Sequence, residues 1–296
     1  MQNPPVSIII ATFNQKSTLQ NCVESFANIK YDNVFEILVI DAGSTAKTLE
    51  EIYTKLETLS NVKIYRIKHS GGVIARNFGI KSSAYEYCAI FGGDCIVNPQ
   101  WLSQMMKSFK ENMAFVSAYG PHGGNATIYK KRALKDVNFF DVSFNKMGSG
   151  YHDDSDVFYK LKKIGYTSKF LESPDVAFKH ITTIQNGLYG KLKYSLKRVL
   201  IHKLDPLLFK RHPDEFRKDF DVLFAFIINP IKDFKKATGK WNKNGTFSLS
   251  SPQGVTLISN RGPISFFLIV LGGVVYVSLL KILRLIYSFR YGRLLI

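Results

Sequence analysis

Short apolar runs alternate with amphipathic segments along the first hundred residues of the chain. The runs Val6–Ala11 and Glu36–Ile40 are rich in β-branched residues, which is typical of strands buried on both faces of a parallel sheet. Apolar residues recur at helical spacing between them, at Leu19, Cys22, Val23 and Phe26. This segment therefore predicts a β-α-β unit with a right-handed crossover.

The same alternation continues beyond the first unit. The predicted elements are a helix over Leu49–Leu59, a strand over Val62–Ile67, a helix over Val73–Lys81, a strand over Tyr87–Phe91, a helix from Pro99 to Phe109, a strand over Ala126–Tyr129, a helix over Asp153–Ile164 and a strand over Val176–Phe178. Strands that alternate with helices are typical of an α/β fold. We therefore predict a Rossmann-like, mostly parallel central sheet.

The composition changes from about Ile184 onward. Residues 185–262 contain 15 Lys and Arg against 6 Asp and Glu, interleaved with apolar pairs such as Leu207 and Leu208. The stretch Pro263–Leu280 then has no charge over 18 residues, close to the lower limit for crossing a hydrocarbon core of about 30 Å. We divide the chain into an α/β domain (1–183), a basic amphipathic helical region (184–262) and a hydrophobic membrane segment with a basic tail (263–296).

Basic residues flank this apolar stretch on both sides. They are Lys235, Lys236, Lys240, Lys243 and Arg261 before it, and Lys281, Arg284, Arg290 and Arg293 after it. A single span satisfies the positive-inside bias on the first flank only. A helix that bends near Gly272 and Gly273 and returns would keep both flanks on anionic headgroups. We predict integral attachment, with a span as the first interpretation and a re-entrant or interfacial helix as the second.

The formal net charge of +17 predicts an anionic partner, which could be nucleic acid, an acidic lipid surface or a phosphorylated substrate. The positive charges gather with apolar pairs beside a long hydrophobic stretch, as on membrane-surface helices, so we expect a membrane and no nucleic acid. The three cysteines include no CxxC pair, which predicts neither a disulfide framework nor a zinc site. We expect a reducing, cytosol-facing environment for the α/β domain.

Polar and glycine residues follow several predicted strands or open a helix, where open α/β sheets bind nucleotides. They are Thr12, Asn14, Asp41, Gly71, Gly72, Arg76 and Asp94. Asp41 could accept a hydrogen bond from a nucleotide base, or it could be an ordinary turn aspartate. Asn14 could equally cap a helix that begins near Lys16.

Three acids, Asp153, Asp154 and Asp156, open the last predicted helix of the domain. Negative charge is favourable at a helix N-terminus, but capping accounts for one or two acids and not for three. His180 follows the predicted strand Val176–Phe178, where it could bind a metal or phosphate or be a satisfied polar residue. The three acids and His180 are therefore the remaining candidate catalytic or metal-binding residues.

In this order, the motifs resemble those of the inverting glycosyltransferases of family 2, which have a GT-A fold, over about residues 4–182. The resemblance implies a nucleotide-diphosphate sugar donor, with Thr12, Asn14 and Asp41 at the base. It implies that Gly71 and Gly72 lie beneath the nucleotide. Arg76 would supply charge near the diphosphate or orient Asp41.

The resemblance also implies roles for the acids. Asp94 and His180 would bind a divalent cation, Mg²⁺ or Mn²⁺, and Asp154 would be the general base, with Asp153 and Asp156 as alternatives in the acidic cluster. Gly123–Leu134 resembles the segment that shapes the acceptor cleft. The expected acceptor is a lipid-linked sugar or glycan at the cell membrane, with the catalytic domain facing the cytoplasm.

The chain departs from the family pattern at one point. Gly92 stands where members carry the first aspartate of an Asp-x-Asp motif, so metal affinity or donor contact is in question. A catalytically impaired nucleotide-sugar-binding or scaffold protein at the membrane is the alternative hypothesis.

Overall fold

The computed structural model describes residues 3–45, 49–145, 151–181, 196–238, 240–241, 246–250, 256–260 and 263–296. The chain divides into two compact units, residues 1–182 and 183–296. The start of the basic region at residue 184, and Lys243 and Arg261 beside the apolar stretch, lie outside the described residues. The predicted three-part division of the chain therefore stays a prediction.

The first unit contains nine strands and six α-helices among its described residues. The strands are β1 (Val6–Thr12), β2 (Phe35–Asp41), β3 (Val62–Arg66), β4 (Tyr87–Gly92), β5 (Cys95–Val97), β6 (Met113–Ser117), β7 (Thr127–Lys130), β8 (Thr167–Phe170) and β9 (Phe178–His180). The helices are α1 (Leu19–Ala27), α2 (Leu49–Leu56), α3 (Gly72–Ser82), α4 (Trp101–Lys107), α5 (Lys131–Asp136) and α6 (Asp153–Lys163).

Seven of these strands form one sheet in the order β3-β2-β1-β4-β7-β6-β8. Only β7 runs antiparallel to its neighbours, and the other pairs in the sheet are parallel. This mostly parallel sheet confirms the predicted fold class. Strands β5 and β9 form a separate antiparallel pair.

The sheet is buried on both faces because its central strands are apolar at successive positions. Ile8 and Ile10 of β1 join a core that contains Phe26 of α1. Ile9 points to the opposite face and joins a second core with Ile80 of α3. The near-continuous apolar pattern of β1 thus follows from helices packed on both sides.

Several boundaries differ from the sequence-based expectation. The predicted helix start at Pro99 is wrong, because Asn98 accepts the backbone N–H groups of Gln100 and Trp101 in a turn and the helix begins at Trp101. The predicted strand Val176–Phe178 is also wrong. Ser173 accepts the N–H of Asp175 and starts a 3₁₀ turn over Pro174–Val176, so the strand begins at Phe178 and contains His180.

The second unit is built mainly from helices and short strands. Its helices are α7 (Asp205–Arg211), α8 (Pro213–Phe220), α9 (Pro230–Thr238) and α10 (Pro263–Tyr291), and its strands are β10 (Val222–Leu223), β11 (Ile227–Ile228), β12 (Lys240–Trp241), β13 (Thr246–Ser250) and β14 (Thr256–Asn260). Among the described residues, one helix, α10, is long and apolar enough over Phe267–Tyr291 to cross a membrane, judged by length and composition. It continues unbroken through Gly272 and Gly273, where the re-entrant interpretation placed a bend.

Gly79 allows α3 to pack closely against the sheet. A Cβ atom at this position would lie 2.5 Å from Cγ2 of Ile9 and 3.0 Å from Cγ1 of Ile40. We expect Gly79→Val to lower the free energy of unfolding by about 1–3 kcal/mol, because α3 must move off the sheet. Urea unfolding followed by tryptophan fluorescence measures the change.

Gly120→Ala is the matched control, since no atom lies within 4 Å of a Cβ at that position. We expect its unfolding midpoint to match that of the parent protein. Equal midpoints for the Gly79→Val and parent proteins would contradict the close packing of α3.

Candidate functional site

The carboxyl ends of three strands meet at one edge of the sheet. Thr12 of β1 is in register with Asp41 of β2, and Ala11 is in register with Gly92 of β4. Strands β2 and β3 lie to one side of β1 and β4 lies to the other, so the strand order reverses between β1 and β4. Such a point is where open α/β sheets form a ligand-binding crevice.

The loop after β2 is held by side chains at the edge. Oδ1 of the buried Asp41 accepts hydrogen bonds from the backbone N–H (2.9 Å) and hydroxyl (2.5 Å) of Ser44. Asn14 donates its backbone N–H to the Ser44 hydroxyl and accepts the N–H of Thr45 at Oδ1. Asn14 therefore ties the end of β1 to the Asp41 loop, and the alternative that it caps α1 is wrong.

An aromatic pair lies beside this loop and was missed by the sequence reasoning. Phe13 is 43% exposed, and its ring centroid lies 4.6 Å from that of His69. Nδ1 of His69 lies 3.2 Å from the carbonyl oxygen of Ala42. The position of Phe13 between Thr12 and Asn14 at a strand end was the available sequence signal. A partly exposed ring here offers a surface for stacking.

Gly71 and Gly72 lie at the start of α3, as the sequence predicts, but another side chain shares this helix end. Oδ1 of Asn145 accepts the backbone N–H of Val73 at 3.1 Å, and its amide nitrogen donates to the carbonyl of Ser70. A Cβ at Gly71 would lie 2.6 Å from the same Oδ1. Asn145 is therefore a capping residue that the sequence analysis did not identify.

Arg76 lies one turn into α3 and forms an ion pair with Asp153 at the start of α6. Both side chains are largely buried, with exposures of 14% and 4%. The guanidinium also lies over the ring of Phe140, 4.9 Å from its centroid. Arg76 thus contacts the acidic start of α6, whereas the Asp41 carboxylate accepts hydrogen bonds from Ser44.

Asp94 and His180 are brought together by the pairing of β5 with β9. Oδ2 of Asp94 lies 3.4 Å from Nε2 of His180, and the Asp94 carbonyl accepts the N–H of Ile181 at 2.7 Å. Both side chains are partly exposed. A carboxylate oxygen beside an imidazole nitrogen suits a divalent cation such as Mn²⁺. Both predicted ligands, Asp94 and His180, therefore fit such an ion.

Cys95 completes a group of three possible ligands, whose donor atoms lie within 4.8 Å of one another. Its thiol is fully buried and accepts a hydrogen bond from the Asn125 amide at 3.0 Å. Burial, and then the charge of Asp94, raise the pKa of Cys95 to about 12. Because metals bind the thiolate, this neutral thiol is the weakest of the three ligands.

Glycines keep the surroundings of Asp94 clear. A Cβ at Gly92 would lie 2.8 Å from Oδ1 of Asp94, and a Cβ at Gly93 would lie 2.6 Å from Oε1 of Gln15. Thr12 Oγ1 and Gln15 Oε1 are buried oxygens that have no hydrogen-bond partner among the described residues. Buried polar atoms of this kind are expected to bind water or a ligand. A side chain at position 92 would therefore press against Asp94, and the oxygens of Thr12 and Gln15 lie beside Gly93.

The three acids at the start of α6 have different surroundings. Asp153 pairs with Arg76, and Oδ2 of Asp156 lies 2.5 Å from Nζ of Lys160. Asp154 accepts the N–H of Ser155 at Oδ1, and no Lys or Arg among the described residues forms an ion pair with it. Burial, and then the charge of Asp153, raise the pKa of Asp154 to about 6. Asp154 is therefore the acid best suited to exchange a proton near neutral pH.

Gly124 faces the second oxygen of Asp154. Its φ of +103° suits glycine, and a Cβ there would lie 2.9 Å from Oδ2 of Asp154. The Gly124 N–H donates to the Tyr129 hydroxyl at 2.9 Å, which fixes the turn. His122 lies nearby, with Nδ1 3.0 Å from the Ser155 hydroxyl, and was not singled out from the sequence. Any side chain at position 124 would therefore press against the Asp154 carboxylate.

Comparison with known proteins places this site in context. Chondroitin synthase from Escherichia coli is 32% identical over 115 residues, which are 38% of this chain and 17% of that protein. The dolichyl N-acetyl-alpha-D-glucosaminyl phosphate 3-beta-D-2,3-diacetamido-2,3-dideoxy-beta-D-glucuronosyltransferase of Methanococcus voltae is 33% identical over 108 residues, 36% of this chain and 34% of that protein. The chain thus aligns with about a third or less of the length of these two relatives.

A solved structure shares the fold. The mannosyltransferase PcManGT from Pyrobaculum calidifontis, in complex with GDP-Man and Mn²⁺, is similar with a TM-score of 0.56 at 17% identity, over 71% of this chain and 65% of that chain. The family model described as Glycosyl transferase family 2 matches residues 7–171, which is more than half of the chain. On the order of its motifs, its sheet and this match, the chain belongs to glycosyl transferase family 2.

Proposed function

We propose that the protein is an inverting hexosyltransferase that moves a sugar from a nucleotide-diphosphate donor to an acceptor at a membrane. The observation that carries the proposal is the environment of Asp154. Burial and the charge of Asp153 raise the pKa of Asp154, and Asp153 and Asp156 are each paired with a cation. Inverting transfer by a single displacement needs one such carboxylate.

The donor would bind in the crevice between β1 and β4. Asp41 and Asn14 would lie at its rim with Phe13, whose partly exposed ring could stack on a nucleotide base. The PcManGT structure, which has the same fold, contains GDP-Man, and this supports a nucleotide-sugar donor here. The N-terminus of α3 at Gly71 and Gly72 would favour the negative diphosphate.

Asp94 and His180 would hold a divalent cation beside this crevice. The supporting observations are the 3.4 Å distance between the two side chains and the buried oxygens of Thr12 and Gln15, which have no hydrogen-bond partner in the part of the chain that the structure describes. When bound, the cation supplies positive charge that offsets the charge on a leaving diphosphate. The Mn²⁺ in the PcManGT structure supports this cofactor class.

Asp154 would act on the acceptor. Its carboxylate takes the proton of the acceptor hydroxyl as that oxygen bonds to the anomeric carbon, and the bond from that carbon to the nucleoside diphosphate breaks with its electron pair on the diphosphate. The proton therefore ends on Asp154 and the negative charge on the leaving group. The acceptor would approach Oδ2 of Asp154, against which Gly124 places no side chain.

A lipid-linked acceptor fits the second unit and a relative. The Methanococcus voltae relative is named for a dolichyl phosphate sugar, and α10 is apolar enough to contact lipid. The proposed location is the cell membrane, with the catalytic unit on the cytoplasmic side. The alternative is a nucleotide-sugar-binding scaffold protein, which Gly92 favours because the usual first aspartate is missing.

A donor panel tests the function and the base together. The full-length protein is incubated with nucleotide-diphosphate sugars and membrane lipid extract, products are identified by mass spectrometry, and donor binding is measured separately by calorimetry. We expect Asp154→Asn to keep donor affinity and to lower turnover by about 10²- to 10⁴-fold. Asp175→Asn, at an exposed aspartate, is the control and should leave both unchanged.

Donor binding without product from the parent protein would favour the scaffold alternative. Loss of turnover in Asp153→Asn or Asp156→Asn, with Asp154→Asn within a few-fold of the parent, would reassign the base.

The pH dependence of kcat/KM should report the raised pKa of Asp154. The base works as the carboxylate, so activity should fall as the pH drops through about 6, where Asp154 becomes protonated. An ordinary exposed aspartate would lose its charge near pH 4 instead. A profile measured from pH 4.5 to 9 tests this. Full activity at pH 5 would contradict the assignment.

Metal binding separates the three possible ligands. We expect Asp94→Ala and His180→Ala each to weaken Mn²⁺ binding by more than about 10-fold. Loss of a residue that only supports a ligand typically weakens metal binding by about 10- to 100-fold, so loss of a ligand should weaken it at least as much. Cys95→Ala should bind Mn²⁺ within a few-fold of the parent, because its thiol stays neutral. Electron paramagnetic resonance of free Mn²⁺ measures all three. An equal loss in Cys95→Ala, or full activity in excess chelator, would overturn this ligand set.

A further inference from the structure

The long helix α10 (Pro263–Tyr291) presents one continuous apolar face to the outside of the second unit. Its exposed side chains are aliphatic or aromatic with few exceptions, and they recur every three or four residues. The large ones are Phe267, Leu268, Leu271, Val274, Val275, Leu279, Ile282, Ile286 and Phe289. From Phe267 to Phe289 this face is about 33 Å long at 1.5 Å per residue. We call it the apolar face of α10.

The opposite side of α10 is covered by the unit itself. Gly273, Leu280, Arg284 and Ser288 are buried and follow one another at helical spacing. A Cβ at Gly273 would lie 2.4 Å from Cγ2 of Thr238, so α9 is in close contact there. One side of the helix therefore packs against the second unit. The other side, the apolar face, is exposed and is not covered by any of the described residues.

A buried ion cluster fixes α10 along its length. Arg284 is 1% exposed, and its guanidinium pairs with Asp205 at 2.8 Å and with Asp233 at 2.5 Å. Both carboxylates are buried, and Asp205 also lies 3.0 Å from Nδ1 of His202. A buried charge without its partners would be very unfavourable, so these contacts resist separation of α10 from α7 (Asp205–Arg211) and α9 (Pro230–Thr238).

The position of α9 argues against a spanning orientation. Thr238 of α9 contacts Gly273 of α10, and Asp233 of α9 pairs with Arg284 of α10. These contacts lie on either side of the middle of the apolar segment Phe267–Tyr291. Lys232 and Lys235 of α9 are exposed. If α10 crossed a bilayer, these lysines would lie near the bilayer centre, where charge is strongly disfavoured.

The segment after α10 leads to the same conclusion. The chain turns back at Gly292, and the N–H and carbonyl of Ile296 bond to Phe226 and Ile228, each at 2.8 Å. Ser288 bonds to both backbone groups of Leu295. Residues before α10 and residues after it are thus hydrogen-bonded to each other beside the C-terminal half of α10. If α10 crossed a bilayer, its two ends would lie on opposite sides and these contacts would be separated.

We propose that α10 lies in the plane of an anionic bilayer, with its apolar face in the boundary between headgroups and acyl chains. The composition of the face favours lipid over protein, since seven of its nine large residues are Leu, Val or Ile, whereas protein interfaces are enriched in Phe, Tyr, Trp, Met and Arg. The excess of 15 basic over 6 acidic residues in 185–262 complements anionic headgroups. This inference refines the membrane location in the proposed function but depends only on the second unit.

A depth profile distinguishes an in-plane helix from a spanning one. Single cysteines replace Leu268, Val275, Ile282 and Phe289, which are seven residues apart on the apolar face and each more than half exposed. The three native cysteines are buried. Each full-length variant is spin-labelled and mixed with vesicles of phosphatidylcholine and phosphatidylglycerol, and the accessibility of the label to oxygen and to a nickel complex gives its depth.

An in-plane helix predicts the same shallow depth at all four positions. A deep signal at Val275 and Ile282 with shallow signals at Leu268 and Phe289 would establish a span and overturn the proposal. Labels that stay out of lipid while the protein dimerises in light scattering would show that a second copy covers the face, which also overturns it.

Vesicle binding gives an independent test with matched controls. We expect Leu271→Glu combined with Leu279→Glu to weaken co-sedimentation with these vesicles by about tenfold or more, because both charges enter the apolar face. Val34→Glu combined with Ile164→Glu changes two exposed apolar residues of the first unit and should bind as the parent does. Equal binding of all three proteins would refute the role of this face. Nucleotide binding measured on the same samples reports on the proposed function separately, since its residues lie in the first unit.

Discussion

The parallel register of β2, β1 and β4 is the constraint on which the rest of the first unit depends. Each of these strands is apolar on both faces, and a shift of one residue would exchange the side chains that face the two helical layers. The register is therefore fixed by burial. It places the ends of the three strands, with Thr12, Asp41 and Gly92, at one edge. The positions of the polar residues at this edge are therefore set by apolar packing elsewhere in the sheet.

The elements that could be predicted from sequence are those whose signal is local. Strands β1, β2 and β4 are long apolar runs, and α1 shows its four buried residues at helical spacing. The pair of β5 with β9 was not predicted, because each strand has three residues and is defined by a partner more than 80 positions away. Strand β8 was not predicted, because the residues of Thr167–Phe170 are mostly polar and partly exposed.

The candidate site could be predicted as a set of residues but not as a set of contacts. The motifs pointed to Asp94, His180 and the three acids of α6, and the structure brings the first two within 3.4 Å. The residues that pair with those acids could not be predicted from the sequence. Arg76 and Asp153 are 77 positions apart, and Asn145 caps a helix that begins 73 positions earlier in the chain. Such contacts depend on how the helices pack on the sheet, which no local pattern encodes.

The buried pair of Arg76 and Asp153 has a consequence for how such sequences can vary. Either residue alone, without its mate, would be a buried charge beside Phe140 and Asp154. Positions 76 and 153 are thus expected to change together or not at all during divergence, although one belongs to α3 and the other to the start of α6. We therefore expect the packing of α3 against the start of α6 to be inherited as one unit.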